Sequence, residues 1–229
     1  MNISKKTQEM VLTAIFSAII IAMANIPYLG YLNLGVISAT LIHIPVIIGA
    51  ILIGPKAGAF LGFVFGATSL IRATFQPNLT SFAFSPFYAG GNMGSLVICF
   101  VPRILIGIVS YYVFYGLVNG LKKHRKENKK SGGWETVSLF LSGIAGSMTN
   151  TLLVMNLIFV LFSDQYGAVE GVTGSEEIYL FIVGVIVMNG IPEAIVAGIL
   201  TAMVCKVMLK VMSGTRFGYG RKITKSSVH

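Results

Sequence analysis

Charge is what this chain has least of. Asp, Glu, Lys and Arg make up 11% of its 229 residues, well under the roughly 25% of a soluble domain. Apolar residues make up 55%, and mean hydropathy is +0.81. A water-soluble globule is excluded, and a polytopic membrane protein is implied. Cysteine is nearly absent as well. Cys99 and Cys205 lie in or beside apolar segments, which leaves no disulfide framework and no metal-ligand spacing. There is no His-Glu-x-x-His, no clustered cysteine–histidine set and no nucleophile elbow. Walker A is missing: the stretch from Gly214 to Lys222 has the wrong glycine spacing and no Lys-Ser/Thr pair. Glu176-Glu177 sits at a loop end without a metal-ligand histidine nearby, which argues against an intramembrane protease. Uphill movement of a solute would therefore draw on an ion gradient or on a separate ATPase. No inverted repeat of broken helices, the usual mark of a secondary transporter, is visible.

What remains is apolar sequence, read as an all-α bundle of six membrane helices. The spans run over about 9–27, 40–53, 57–73, 96–117, 137–162 and 178–208. A span needs about 20 mainly apolar residues, so the second is the shortest fit. The run from Met10 onward is too long for a cleaved signal peptide and has no small-x-small site after it. The basic residues set the orientation. Lys5, Lys6, Lys56, the cluster from Lys122 to Lys130 and the residues from Lys206 to Lys225 share one side if six helices alternate, leaving Arg72 and Arg103 toward the other. Both termini are expected in the cytoplasm. Residues 1–213 read as one domain with a cytoplasmic loop near 121–135, and 214–229 as a basic tail. The net charge of +9 is explained by topology and lipid headgroups, with no nucleic-acid partner.

Three loops fall on the outer side. Residues 28–39 are mixed apolar and glycine-containing, and 164–177 are acidic. The loop 74–95 carries Phe75, Phe82, Phe84, Phe87 and Tyr88 and is too aromatic for a solvated linker. It is read as a cap over a cavity open to the outside, against a loop lying in the headgroup zone. Two stripes of small residues recur at helical spacing. Ala14, Ala18 and Ala22 share one face of the first span, and Gly58, Gly62 and Gly66 one face of the third. Such stripes allow close helix approach in lipid. The glycines suit packing inside the bundle; the alanines suit either internal packing or a partner protein.

Ionisable and amide side chains at membrane depth are the candidate site. Arg103 cannot be deprotonated, and its placement in hydrocarbon costs several kcal/mol. One reading pairs it with Glu193, which follows Pro192 in the sixth span. The other gives its planar fork to a ligand carboxylate or phosphate. Asn150 is either a helix–helix hydrogen bond or a reader of ligand amide and hydroxyl groups. Arg72 suits an interfacial snorkelling role or a ligand contact, and His43, beside Pro45, a packed core histidine or a ligand contact. Several of these groups lie at compatible depth, so one shared polar cavity is expected.

Taken together, Ala14-x-x-x-Ala18, the short second span, the Gly54-Pro55-Lys56-Ala57-Gly58 turn and the aromatic outer loop resemble the S components of energy-coupling factor (ECF) vitamin transporters. The resemblance covers nearly the whole chain. Within the family it looks most like the pantothenate-specific members, on Ile42 to Ala50, Ile71-Arg72-Ala73, Val101 to Gly107 and Gly146 to Thr151. Its cytoplasmic loop from Lys122 to Gly133 and its outer loop are longer than that pattern. Other S components take folate, riboflavin, thiamine, biotin or queuosine precursors.

The resemblance implies a cell-membrane protein that is not an enzyme and holds no cofactor or metal of its own. It would capture a vitamin from outside, dock on a membrane coupling protein (the T component) through Ala14, Ala18 and Ala22, and topple to release the vitamin inside. Two partner ATPase subunits would use the ATP. Pantothenate has a carboxylate, an amide and two hydroxyls on a branched apolar body. Arg103, with Arg72, would neutralise the carboxylate, Asn150 would read the amide or a hydroxyl, and Tyr88 and Phe84 would close over the gem-dimethyl group. Glu193 would keep Arg103 oriented in the empty state. A stand-alone gradient-driven transporter and a membrane enzyme are the competing classes.

Overall fold

Hydrocarbon offers no partners for backbone N–H and C=O groups, so apolar sequence of this kind closes its hydrogen bonds within helices. The computed structural model describes residues 4–26, 30–34, 37–124 and 132–214. Helix α1 spans Lys5–Asn25, and the Ser4 side chain caps it by accepting the Thr7 N–H at 3.2 Å. An antiparallel hairpin follows, β1 (Tyr31–Leu34) and β2 (Ile37–Thr40), with Tyr31 opposite Thr40. Then come α2 (His43–Ile53), α3 (Pro55–Phe75), a 3-10 turn at Ser81–Ala83, α4 (Met93–His124) and α5 (Gly132–Glu170). Helix α6 (Ser175–Val185) runs through a π turn at Ile186–Gly190 into α7 (Ile191–Gly214).

Five helical bodies are long and apolar enough to cross a membrane among the described residues: α1, α3, α4, α5 and the continuous α6–α7. The eleven residues of α2 give about 16 Å of helix, half a hydrocarbon core. Every residue of α2 is buried. A helix that is apolar all round belongs in the middle of its protein, and α2 packs against α1, α3, α4, α5 and α7. Around it the main core gathers Ile47, Ile51, Leu52, Leu61, Ile106 and Leu139. The outward faces stay apolar: Ile19, Phe63, Val160, Leu180 and Val207 are all exposed. In water this would be one large sticky surface; in a bilayer it is the lipid-facing side.

Three expectations need correction. The fold is helical as expected, but the loop read at 28–39 missed a short hairpin, whose strands carry little periodic signal. The fifth span breaks at Phe162 as expected (φ −142°, ψ 28°), but a further helical segment runs on from there to Glu170, which shortens the acidic loop. The sixth span is interrupted by the π turn just before Pro192, a residue with no N–H to give to the carbonyl four residues back. The basic cluster at 125–130 and the tail at 215–229 lie outside the described residues.

The two stripes separate. Gly62 and Gly66 face α4, and Gly58 faces both α2 and α4: a Cβ at Gly58 would meet Ala50 and Gly107, one at Gly62 the Arg103 carbonyl, and one at Gly66 the Cys99 carbonyl. The Cys99 thiol donates to the Gly66 carbonyl at 3.1 Å across the same seam. Ala14, Ala18 and Ala22 instead lie on the exposed face of α1, opposite the buried Phe16, Ile20 and Ala24.

Gly62→Val should therefore cost about 1–3 kcal/mol through overpacking of the α3–α4 seam. The measurement is thermal unfolding in detergent, with Gly116→Ala as control because nothing lies within 4 Å of its added carbon. Equal melting temperatures for Gly62→Val and the parent would show that the seam is loose.

Candidate functional site

Pro102 sets the geometry of the site. Within α4 it has no N–H, so the carbonyl of Ile98, four residues earlier, loses its helical donor. The next side chain takes over that carbonyl: a terminal nitrogen of Arg103 donates to the Ile98 oxygen. The guanidinium is buried and lies between two rings, its carbon 4.9 Å from the centre of Phe84 and 5.5 Å from that of Phe65. Desolvated contacts of this kind favour a cation.

Arg103 lines a cavity of about 360 Å³. That volume lies within the roughly 300–1,000 Å³ range of small-molecule sites. One wall is a face of α3, where Phe65, Ser69, Arg72, Ala73 and Gln76 recur at helical spacing. Asn150 of α5 and Thr40 at the end of β2 complete the walls. The outer loop supplies Asn78, Thr80, Ser81 and Phe84. That loop is held in shape by its own polar side chains. The Asn78 side-chain oxygen accepts from the Thr80 N–H and from both the Thr80 and Ser81 hydroxyls, at 3.0–3.2 Å. The Ser95 hydroxyl donates to the Phe82 carbonyl at 2.6 Å, fixing the loop to the start of α4. Phe82 and Ala83 are buried beneath it in a second apolar cluster with Ile158 and Phe162.

Of the residues singled out from sequence, Arg103, Asn150, Arg72 and Phe84 come together on this cavity. Arg72 does more than reach for headgroups: it donates to the Ala24 carbonyl at 3.0 Å, tying α3 to the last turn of α1. Tyr88 does not line the cavity and packs partly buried against the second cluster. Glu193 and His43 do not line it either. They lie together, Nδ1 to Oε1 3.4 Å, both buried. Glu193 thus stands beside His43, where the sequence suggested Arg103. Sequence reasoning missed Phe65, Ser69, Gln76, Thr40 and the loop polar residues. The run Ser69-x-x-Arg72-x-x-x-Gln76, polar side chains on one face of an apolar helix, was the available signal for α3.

The sequence model of the family described as "ECF transporter, substrate-specific component" matches residues 8–205. The chain belongs to this family. It is also similar to the pantothenic acid transporter PanT of Lactococcus lactis subsp. cremoris, with 37% identity over 179 residues, 76% of this chain and 79% of that one. The pantothenate transporter PanT of Leuconostoc mesenteroides subsp. mesenteroides is 30% identical over 218 residues, 91% of this chain and 95% of the relative. As a substrate-specific component, or S component, the protein is a membrane-embedded transport subunit.

The S component carries a second concavity at the opposite ends of α1 and α3. This groove of about 930 Å³ is lined by Ala14, Ala18, Met10, Ile21 and Phe60, with Lys6 and Lys56 at its rim. Ala22 is exposed on the same helix face but does not line it. The two concavities divide the molecule into a polar, loop-covered end and an apolar, open end.

Pro102→Ala tests the tether on Arg103. It restores an N–H that competes for the Ile98 carbonyl and so loosens the guanidinium. Substrate affinity should fall about three- to tenfold, the cost of ordering one long side chain on binding, while the melting temperature holds or rises. Parent-like affinity measured by calorimetry would show that the tether does not preorganise the site.

Proposed function

We propose that this S component captures pantothenate. The observation that carries the reading is the buried, tethered guanidinium of Arg103, lying on one cavity wall with Asn150 and between the rings of Phe65 and Phe84. A carboxylate entering the cavity meets a preorganised bidentate donor in a desolvated place, where such pairs are strongest. Arg72 adds a second positive charge on the same cavity. Asn150 has a buried side-chain oxygen without a donor among the described residues, suited to a ligand amide N–H or hydroxyl. Phe84 and Phe65 offer apolar surface to a branched aliphatic body. The names of the Lactococcus and Leuconostoc relatives support the same substrate.

In this reading α2 is the sixth span, short because the hairpin and outer loop occupy the rest of the membrane depth above it. Both termini are cytoplasmic, as the basic residues require. The cavity then opens outward, and the alanine-lined groove lies toward the cytoplasm. A membrane coupling protein docks there on Ala14 and Ala18 by close helix approach, and two ATPase subunits supply the energy. The chain itself needs no cofactor and performs no covalent chemistry.

Protein purified without added ligand should carry stoichiometric pantothenate by mass spectrometry. Arg103→Ala should lower its affinity about 100-fold, the loss expected for charged hydrogen bonds left unmade. A different vitamin on the parent protein would keep the family and overturn the substrate. Separately, Ala18→Trp should abolish uptake by the assembled transporter with pantothenate binding intact. Loss of both together would overturn the groove as docking face.

A further inference from the structure

Helix α1 ends without a cation of its own. Its last four carbonyls lack partners within the helix, and its last turn holds no basic residue. Arg72 of α3 supplies a donor and a positive charge from outside. Its guanidinium donates to the carbonyl of Ala24, the residue before the last of α1, at 3.0 Å. That is the end of the helix dipole that favours a cation. The same side chain lines the ligand cavity. A guanidinium carries five N–H donors in a planar fork, so one group can hold a carbonyl and a carboxylate together.

The two helices joined by this bond also form the alanine-lined groove. On α1 the groove runs from Lys6 to Ile21, and on α3 it is confined to the first turns, up to Phe60. The bond at Ala24 lies one turn beyond the groove on α1. Arg72 lies about 18 Å of helix beyond Phe60. Between bond and groove the two helices pack on each other, with Ile20 of α1 and Leu61 of α3 fully buried in the main core. Interiors of this density transmit strain. Fixing the outer ends of α1 and α3 therefore limits how far the groove ends can splay.

We propose that Arg72 couples the two ends of the protein: a ligand carboxylate in its fork firms its bond to the Ala24 carbonyl, holds α1 against α3 and so strengthens docking at the alanine groove. The proposal rests on the readings of the cavity as the pantothenate site and of the groove as the docking face. The sign follows from side-chain ordering. Holding a long side chain in one geometry costs conformational entropy. Once the carboxylate has ordered Arg72, its bond to Ala24 carries less of that cost, which is positive cooperativity without a large structural change. A loaded subunit is then a better docking partner than an empty one. By linkage, the docked subunit binds pantothenate more tightly by the same factor.

Docking is measured on full-length protein in detergent, with the purified coupling protein and its two ATPase subunits, at zero and at saturating pantothenate. The parent should dock about fivefold more tightly when loaded, the low end of such couplings. Arg72→Met should lose pantothenate affinity and bring that factor to about one at saturating ligand. Arg103→Ala also loses affinity but leaves the bond to Ala24 in place, so it should keep the factor at saturation. If Arg72→Met folds poorly, Arg72→Lys takes its place; it keeps the charge without the fork and should lose the factor as well. The second readout needs no partner. Amide exchange in the last turn of α1 should slow about threefold when pantothenate binds the parent, and should not respond in Arg72→Met. Equal docking of loaded and empty parent, weaker docking of the loaded form, or an undiminished factor in Arg72→Met would each overturn the proposal. Calorimetry separates these results from failure of the readings beneath. A parent that binds no pantothenate overturns the substrate reading, one that binds it and does not dock overturns the groove, and either takes the coupling with it.

Discussion

A guanidinium buried among apolar helices has to be accommodated before anything else can be arranged. Arg103 cannot shed its charge, and hydrocarbon makes an unsupported cation expensive. The chain meets this constraint with three neighbours, one from its own helix and two from other elements. Pro102 frees a carbonyl one turn back, and Phe65 and Phe84 bring ring faces from α3 and from the outer loop. Each of these fixes a larger element. The carbonyl binds the side chain to its own helix, Phe65 requires α3 alongside, and Phe84 requires the loop to fold inward over the helix ends. The cavity is what is left open beside a cation already held on three sides.

Close approach of α3 and α4 is the second condition, and glycine supplies it. With Gly62 against the Arg103 carbonyl and Gly58 against Gly107, the backbones meet and the seam has no room for rearrangement. Interiors packed at that density are bistable at best and do not deform continuously. The polar face of α3 is thereby set at a fixed distance from Arg103. Arg72 extends the frame to α1 through the Ala24 carbonyl, so the helix that bears the exposed alanines is tied to a wall of the cavity.

Much of this was legible in the sequence, and the reasons differ by element. The helices could be read because apolar length alone dictates them in lipid. The glycine seam could be read because a four-residue repeat of small residues has one main use. Arg103, Asn150 and Arg72 stood out because polar groups are rare at such depth. The hairpin was invisible: two four-residue strands carry no periodicity that distinguishes them from a mixed loop. The partner of Glu193 was misread for a related reason. Depth along the sequence suggested Arg103, but the π turn rotates the following residues relative to an unbroken helix, and the rotation aims Glu193 at α2 and His43. The polar residues of the outer loop, Asn78, Thr80 and Ser81, were hidden because their value lies in a network with one another, which spacing does not announce.

The arrangement also constrains how a solute can pass. Between the polar cavity and the apolar groove stands α2, buried along its whole length, with Ile47, Ile51, Leu52 and Leu61 filling the space around it. Carrying a carboxylate through that layer would strip it of every partner, at a cost of several kcal/mol or more. Opening a path by parting α3 from α4 would break a seam that glycine has closed to backbone contact. The ligand's own wall is different: it consists of a loop and a hairpin exit held by individual hydrogen bonds, each worth about 0.5–1.5 kcal/mol. The low-cost movement is thus at the loop-covered end, and access through the same mouth is favoured over passage across the core.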